Sequence, residues 1–241
     1  MSYRIEIHCH TAESSPCATV SAAEGMALYA QNGYDGVSVS DHFSRSVCGA
    51  PEGRDWAEVV ERFLRGYRGA KRQEKRLGLD IFLGMELRFP GNEDDFLLFG
   101  LTEGFLLEHP WLYELDLARF APLAHAAGLL IVQAHPFRPV CGRADPALLD
   151  GVEVHNGNPR HDSHNDLAEA WGREHGLFPT AGSDFHEPGD PQTCGLLLPD
   201  RPADEGALAR QLTARQYGLL LPQGGDLRGG DDLCAPARRR R

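Results

Sequence analysis

The sequence predicts an α/β fold built on a mostly parallel sheet. Short apolar runs alternate with amphipathic segments along most of the chain, glycines close those segments, and His, Asp or Glu residues follow the apolar runs. A chain of 241 residues suits one large domain or two small ones, with room for a sizeable core, and α/β barrels of this length commonly fold as one. Right-handed crossovers between parallel strands then allow either a barrel or a doubly wound open sheet.

The strand-like runs, in order, are Arg4 to His8, Gly36 to Ser40, Ile81 to Leu87, Phe96 to Leu101, Leu129 to Ala134, Gly151 to Val154, Phe178 to Ala181 and Gly195 to Leu198. Between several of them lie helices with recognisable ends. Ser21-Ala22-Ala23-Glu24 reads as a capping box, with Gly33 stopping the helix that follows. Asp55 to Leu77 is a long charged amphipathic segment closed by Gly78, Tyr113 to Ala127 closes at Gly128, and Asn165 to His175 closes at Gly176. Residues 1–222 are read as one domain. The remainder, 223–241, is Gly-rich and charged, ends in four arginines, and is read as a disordered tail, with an RNA-binding or targeting arm as the alternative.

Lys and Arg number 24 against 35 Asp and Glu, a formal charge of -11, which disfavours a broad nucleic-acid-binding surface and suits a protein that holds divalent cations. Six cysteines lie scattered without CxxC pairing, so a reduced, cytoplasmic protein is expected instead of a zinc ribbon or a secreted disulfide framework. No signal peptide precedes the first strand, and no apolar run approaches about 18 residues, so no membrane association is expected. The sequence does not specify an oligomeric state.

The stretch RIEIHCHT ends its strand on His8 and His10, and residues two apart on a strand face the same way. Taken alone, such a pair is either two ordinary hydrogen-bonded histidines or two metal ligands. Other strand ends carry similar groups: Asp41 and His42, Glu86, His135, His155 and Asn156, then Asp184 and His186. Active sites of parallel α/β folds collect at the carboxyl ends of strands, so the repetition favours a metal centre. His8, His10, His42, Glu86, His135, Asp184 and His186 exceed the ligands of a single zinc ion, which implies two or three divalent ions with Glu86 as the natural bridge. The ligand chemistry admits Zn, Mn or Fe.

These motifs resemble those of the PHP family, named for polymerase and histidinol phosphatase. HCHT, SDH after GYDGVSV, GMEL, AHP, EVHNG and GSDFH occur in the family's order, and the resemblance spans residues 4 to about 198. It implies a distorted seven-stranded (β/α) TIM-like barrel with a two- or three-metal centre that hydrolyses phosphoesters. By motif, His8, His10, Glu86 and Asp184 would hold one ion. Glu86 and His135 would contribute to a second, and His42 with His186 to a third. The family often places Asp or His five or six residues after the second histidine; Ser15 and Pro16 stand there, leaving Glu13 or Cys17 as substitutes or as ordinary loop residues. His109 has the look of a loop residue, and His125 of a structural helix residue. His161 and His164 are read as the start of a helix, and Asp41 as a residue that orients a ligand.

The expected reaction is phosphomonoester hydrolysis by a metal-activated hydroxide, with Glu86, Asp184 and His186 at the reacting centre. The expected substrate is a small phosphorylated molecule. Arg138, His155, Asn156 and Arg160 are candidates to bind it, each also compatible with a structural role. Phe43 to Arg54 could cover the site or be a plain surface loop. Two other readings remain: an amidohydrolase-like metal hydrolase, weakened by the absence of any Lys after Lys75, and a non-catalytic metal-binding regulatory domain.

Overall fold

The computed structural model describes residues 2–222, so the expected tail lies outside the described residues. The α/β class holds. Eleven strands run in chain order as β1 (Tyr3–Cys9), β2 (Gly36–Val39), β3 (His42–Phe43), β4 (Asp80–Leu83), β5 (Met85–Arg88), β6 (Asp95–Phe99), β7 (Leu130–Gln133), β8 (Gly151–Asn156), β9 (Phe178–Gly182), β10 (Gly195–Leu198) and β11 (Gly218–Leu220). The helices are α1 (Ala22–Gln31), α2 (Arg45–Cys48), α3 (Trp56–Lys71), α4 (Glu74–Leu77), α5 (Glu103–Glu108), α6 (Leu117–Ala126), α7 (Asn165–His175) and α8 (Glu205–Ala214).

The strands form two mixed sheets, ordered β11-β10-β1-β2-β4 and β3-β5-β6-β7-β8-β9. The expectation of a mostly parallel sheet is corrected at β6, β10 and β11. β6 runs antiparallel to β5 and β7, and β10 runs antiparallel to β1 and β11. The physical reason at β6 is length: only Phe89 to Asp94 separate β5 from β6, too few for a helical crossover, so the chain makes a hairpin. Ile81 to Leu87, expected as one strand, is interrupted at Gly84, whose N–H donates to Val39 O at 2.9 Å. That bond and Glu86 N–H to Asp41 O at 3.1 Å lead from one sheet into the other. On the opposite side His10 N–H donates to Phe185 O at 3.1 Å and Cys9 bridges Phe185.

The helices follow the signals expected of them, with shorter spans. Ser21 caps α1 in a complete capping box, and Asp55 caps α3 by accepting from Ala57 and Glu58. Asp55 to Leu77 breaks at Arg72 and Gln73 into α3 and α4, because the chain turns there to enter β4; Glu74 Oε1 accepts from Ile81 N–H at 2.9 Å and from Lys71 Nζ at 2.6 Å. Tyr113 to Ala127 is a short 3-10 turn and then α6, which Asp116 caps. The segment Phe43 to Arg54 contains α2, capped by Ser44.

The main core joins Val59, Val60, Phe63 and Leu64 of α3 to Ile5, Met85, Leu97 and Ile131 of the sheets. A second cluster packs Met26 and Tyr29 of α1 on Val37, Ile81 and Phe185. α3 lies close behind the carboxyl ends of β1 and β2: a Cβ on Gly66 would overlap Thr11 Oγ1 and Asp41 Oδ2.

Candidate metal centre

At one edge of the sheets, β1, β3, β5, β6, β7 and β9 bring together His8, His10, His42, Glu86, Asp95, His135, Asp184 and His186. Four groups have ligand atoms within 4.8 Å of one another: His10, His42 and His186; His8, His10 and Asp184; His8, Glu86 and His135; and His42, Glu86 and Asp95. All but His42 of the first seven expected ligands are buried or nearly so.

Glu86 stands at the middle. Its Oε1 lies 3.3 Å from His8 Nε2 and 3.0 Å from His135 Nε2. Its Oε2 lies 3.3 Å from His10 Nε2 and 2.8 Å from His42 Nδ1. Asp184 Oδ1 is 3.4 Å from both His8 Nε2 and His10 Nε2. Two residues reach the cluster from backbone in the left-handed region, His135 with φ 28° and Asp184 with φ 49°, a conformation that costs a non-glycine residue and is retained mainly at functional sites.

Behind the cluster, carboxylates and hydroxyls orient the rings. His8 Nδ1 meets Glu153 Oε1 at 2.8 Å, the carboxylate-histidine pairing that frees Nε2 for a metal. Glu153 Oε2 accepts from His135 N–H at 3.1 Å and Asn156 Nδ2 at 2.9 Å. His10 Nδ1 meets Ser15 Oγ at 3.3 Å, and Ser15 in turn donates to Asp41 Oδ1 at 2.7 Å. Asp41 thus reaches the His10 ring through Ser15.

The electrostatics are those of competing protons. Burial works against a charge on His8, but Glu153, Asp184 and Glu86 outweigh it and hold the imidazole well above its ordinary range. Burial disfavours charge on His135 too, yet its bonds to Cys141 and Glu86 push it up to about 9. His10 goes the other way, held neutral by burial and by His186 and His42. Burial would raise Glu86, and the surrounding His42 and His8 pull it well below the carboxylate range instead.

His8 Nε2, His10 Nε2 and Glu86 Oε2 are buried without hydrogen-bond partners. Orphaned acceptors of this kind, converging from separate strands, fit a cation.

A polar cleft of about 240 Å³ opens over the cluster, with Arg88, Arg138, Arg160 and His161 on its walls. Arg138 donates to Asp184 Oδ2 at 2.5 Å, Asn156 Oδ1 at 2.9 Å and Ser163 Oγ at 3.2 Å. Arg160 pairs with Asp190 at the rim. His155 is the expected residue that the structure does not bring in. β8 shifts register against β9 between Glu153 and His155, so Asn156 turns to the site while His155 Nδ1 faces Asn165 at 3.3 Å. His164 precedes α7 as expected, whereas His161 lines the cleft. His109 stacks on Phe105 and His125 pairs with Asp150, both away from the cluster.

Asp95 and Glu153 were not among the expected site residues. Asp95 opens an antiparallel strand, so its amino end, not its carboxyl end, lies at the site edge; recognising the short hairpin would have found it. Glu153 is a carboxylate inside an apolar strand, a signal in itself.

No protein-family model matches the chain, and no curated protein matches it. Solved structures do. A two-domain protein from Bacteroides vulgatus containing a predicted PHP-like metal-dependent phosphoesterase is 17% identical with a TM-score of 0.66, covering 92% of this chain and 65% of that one. This chain therefore spans less than two thirds of that protein. PsfC from Pseudomonas syringae is 20% identical with a TM-score of 0.63 over 97% of this chain and 95% of its own. An amidohydrolase from Chromobacterium violaceum, solved with bound sulfate and no metal, is 17% identical with a TM-score of 0.51, covering 92% and 99%. The fold is that of the PHP-like and amidohydrolase structures.

Proposed function

We propose that the protein is a PHP-type metal-dependent hydrolase that cleaves a small phosphate ester, as a phosphomonoesterase. The observation that carries this reading is the convergence of His8 Nε2 and His10 Nε2, buried without hydrogen-bond partners, on Glu86 beneath a cleft walled by three arginines. The bonds that join the two sheets on both sides of the cluster support reading them as one distorted barrel-like ring.

His8, His135 and Glu86 Oε1 would hold one divalent ion and His10, His42 and His186 another, with Asp184 Oδ1 beside His8 and His10 and Glu86 Oε2 beside His10 and His42. Bound there, such ions supply a Lewis acid for phosphoryl oxygens and lower the pKa of water. Glu86, Asp184 and His186 are assigned to the reacting centre. Arg138 spends Nε on Ser163 and one terminal nitrogen on Asp184 and Asn156, which leaves its other terminal nitrogen for a phosphate, while Arg160 and Arg88 on the same walls are paired with Asp190 and Asp95. A cleft of about 240 Å³ in a chain of net charge -11 suits a small ester better than a nucleic acid. No lysine lines this cleft, which speaks against the carboxylated-lysine chemistry of many amidohydrolases.

The test is metal analysis of the purified protein with a phosphoester panel, in wild type and Glu86→Gln. The wild type should carry two or three Zn, Mn or Fe ions per chain and release phosphate. Glu86→Gln should lose turnover by at least about 10³-fold, several kcal/mol of transition-state stabilisation. Unchanged turnover in that variant would sink the assignment.

A further inference from the structure

The three imidazoles His10, His42 and His186 form a corner of the cluster apart from Glu86's other contacts. Their ring centroids lie 4.2 Å (His10 to His186), 4.5 Å (His10 to His42) and 6.0 Å (His42 to His186) apart, and their ligand atoms fall within 4.8 Å. His10 is fully buried and its Nε2 has no partner. Nδ1 of His186 is taken up by Asp184 O at 2.9 Å, and Nδ1 of His42 by Glu86 Oε2 at 2.8 Å, which leaves the second nitrogen of each ring. The corner offers three nitrogens where a tetrahedral zinc takes four ligands.

The segment after HCHT supplies what lies on its open side. Ala12 N–H donates to Val20 O at 2.9 Å and Thr19 N–H to His186 O at 2.9 Å, so residues 12–20 are folded back over the corner. Each polar residue of this loop that stands near the expected ligand position has a visible task except one. Glu13 accepts from Ala22 N–H at 2.9 Å, capping α1 from outside, and Ser15 links His10 and His42 N–H to Asp41. Cys17 lines the cleft beside His42 and His186.

We propose that Cys17 is the fourth protein ligand of the His10–His42–His186 corner, and that its sulfur makes this corner prefer zinc to manganese. The inference rests on the metal-centre reading above. On coordination the thiol proton leaves to solvent and the thiolate binds the ion, with no change of oxidation state. A soft thiolate favours Zn over Mn, whereas imidazole and carboxylate alone discriminate less. Cys17 is exposed, so replacing it should leave the fold intact.

The experiment loads the full chain with cobalt(II) under anaerobic conditions and records its absorption spectrum beside the bound cobalt count. Wild type should show a near-ultraviolet thiolate-to-cobalt charge-transfer band. Cys17→Ser should lose that band while retaining cobalt at the other positions. Cys141→Ser, which alters the sulfur 3.9 Å from His135 Nδ1, should keep it. In zinc and manganese competition, Cys17→Ser should lower the zinc preference at one position by about tenfold or more. Cobalt bound to wild type without the band, or a band that survives in Cys17→Ser, overturns the Cys17 assignment and leaves the metal centre standing. Failure of wild type to bind cobalt, zinc or manganese at all overturns the metal centre, and this proposal with it.

Discussion

Glu153 does not line the cleft, yet both its oxygens are committed to residues in or beside the cluster. One meets His8 Nδ1 at 2.8 Å, and the other holds the backbone of His135 and the amide of Asn156. Glu153→Gln keeps the shape but weakens the basicity and orientation of His8, so metal affinity should fall by roughly 10–100-fold in a chelator competition assay. Metal binding should also displace protons. In the metal-free protein His8 and His42 sit well above the ordinary imidazole range, and His135 near 9, so at neutral pH these rings hold protons that an ion must evict. The sign follows directly: affinity should rise as pH climbs toward about 9 and fall on acidification. Zinc titration in weak buffer at pH 7 should release protons, and a pH-independent affinity between 6 and 9 would contradict the arrangement. The seven side chains expected at the cluster were legible in the sequence because strand ends announce themselves after apolar runs. Asp95 was hidden because it begins its strand, and His155 misled because alternation along β8 is broken by a register shift that local patterning does not encode.

At the scale of elements, α3 is the one whose placement the site depends on. Its amphipathic character was readable in the charged segment Asp55 to Leu77, but the break at Arg72 was not, so the Gly78 expected to close it ends α4 instead. Gly66 was not readable as a contact point, since only the fold shows that Thr11 and Asp41 press against it. A glycine inside a helix ordinarily costs about 1 kcal/mol relative to alanine. Here Gly66→Ala should nevertheless destabilise, by up to about 2 kcal/mol net, because the added methyl overlaps the Thr11–Asp41 pair and overpacking costs roughly 1–3 kcal/mol. A lower denaturant midpoint with unchanged slope would register it; a higher midpoint would show that the neighbours simply move aside. Because Asp41 holds Ser15 and Ser15 touches His10, the same substitution should loosen metal binding as well.

For the whole molecule, the cluster is a crosslink between distant parts of the chain. Residues from position 8 to position 186 meet there, and both sheets contribute. An ion that binds only the folded state adds about 2.7 kcal/mol at a free concentration one hundred times its dissociation constant. Chelation should therefore lower the thermal midpoint by roughly 5–10 °C for each such ion in a domain of this size. Calorimetry with and without chelator measures this, and the chelator's effect should be smaller in Glu86→Gln, which lacks the carboxylate between His8 and His135. The α/β class was legible across the chain from the strand and glycine rhythm. The division into two mixed sheets was less so, because pairing direction depends on connection length and on partners far away in sequence.

The β5–β6 hairpin gives this architecture an unusual freedom. Its turn, Phe89 to Asp94, stands at the mouth of the cleft, between Arg88 and Asp95, and is stitched to the neighbouring loop by Gly142 N–H to Asp94 Oδ1 at 2.5 Å and Cys141 Sγ to Glu93 O at 3.4 Å. Both strands that flank it are anchored in the sheet below, so residues can be added or exchanged at the tip while Glu86 and Asp95 stay where they are. A change of residues at this tip therefore reshapes the rim of the cleft and leaves the cluster beneath it undisturbed.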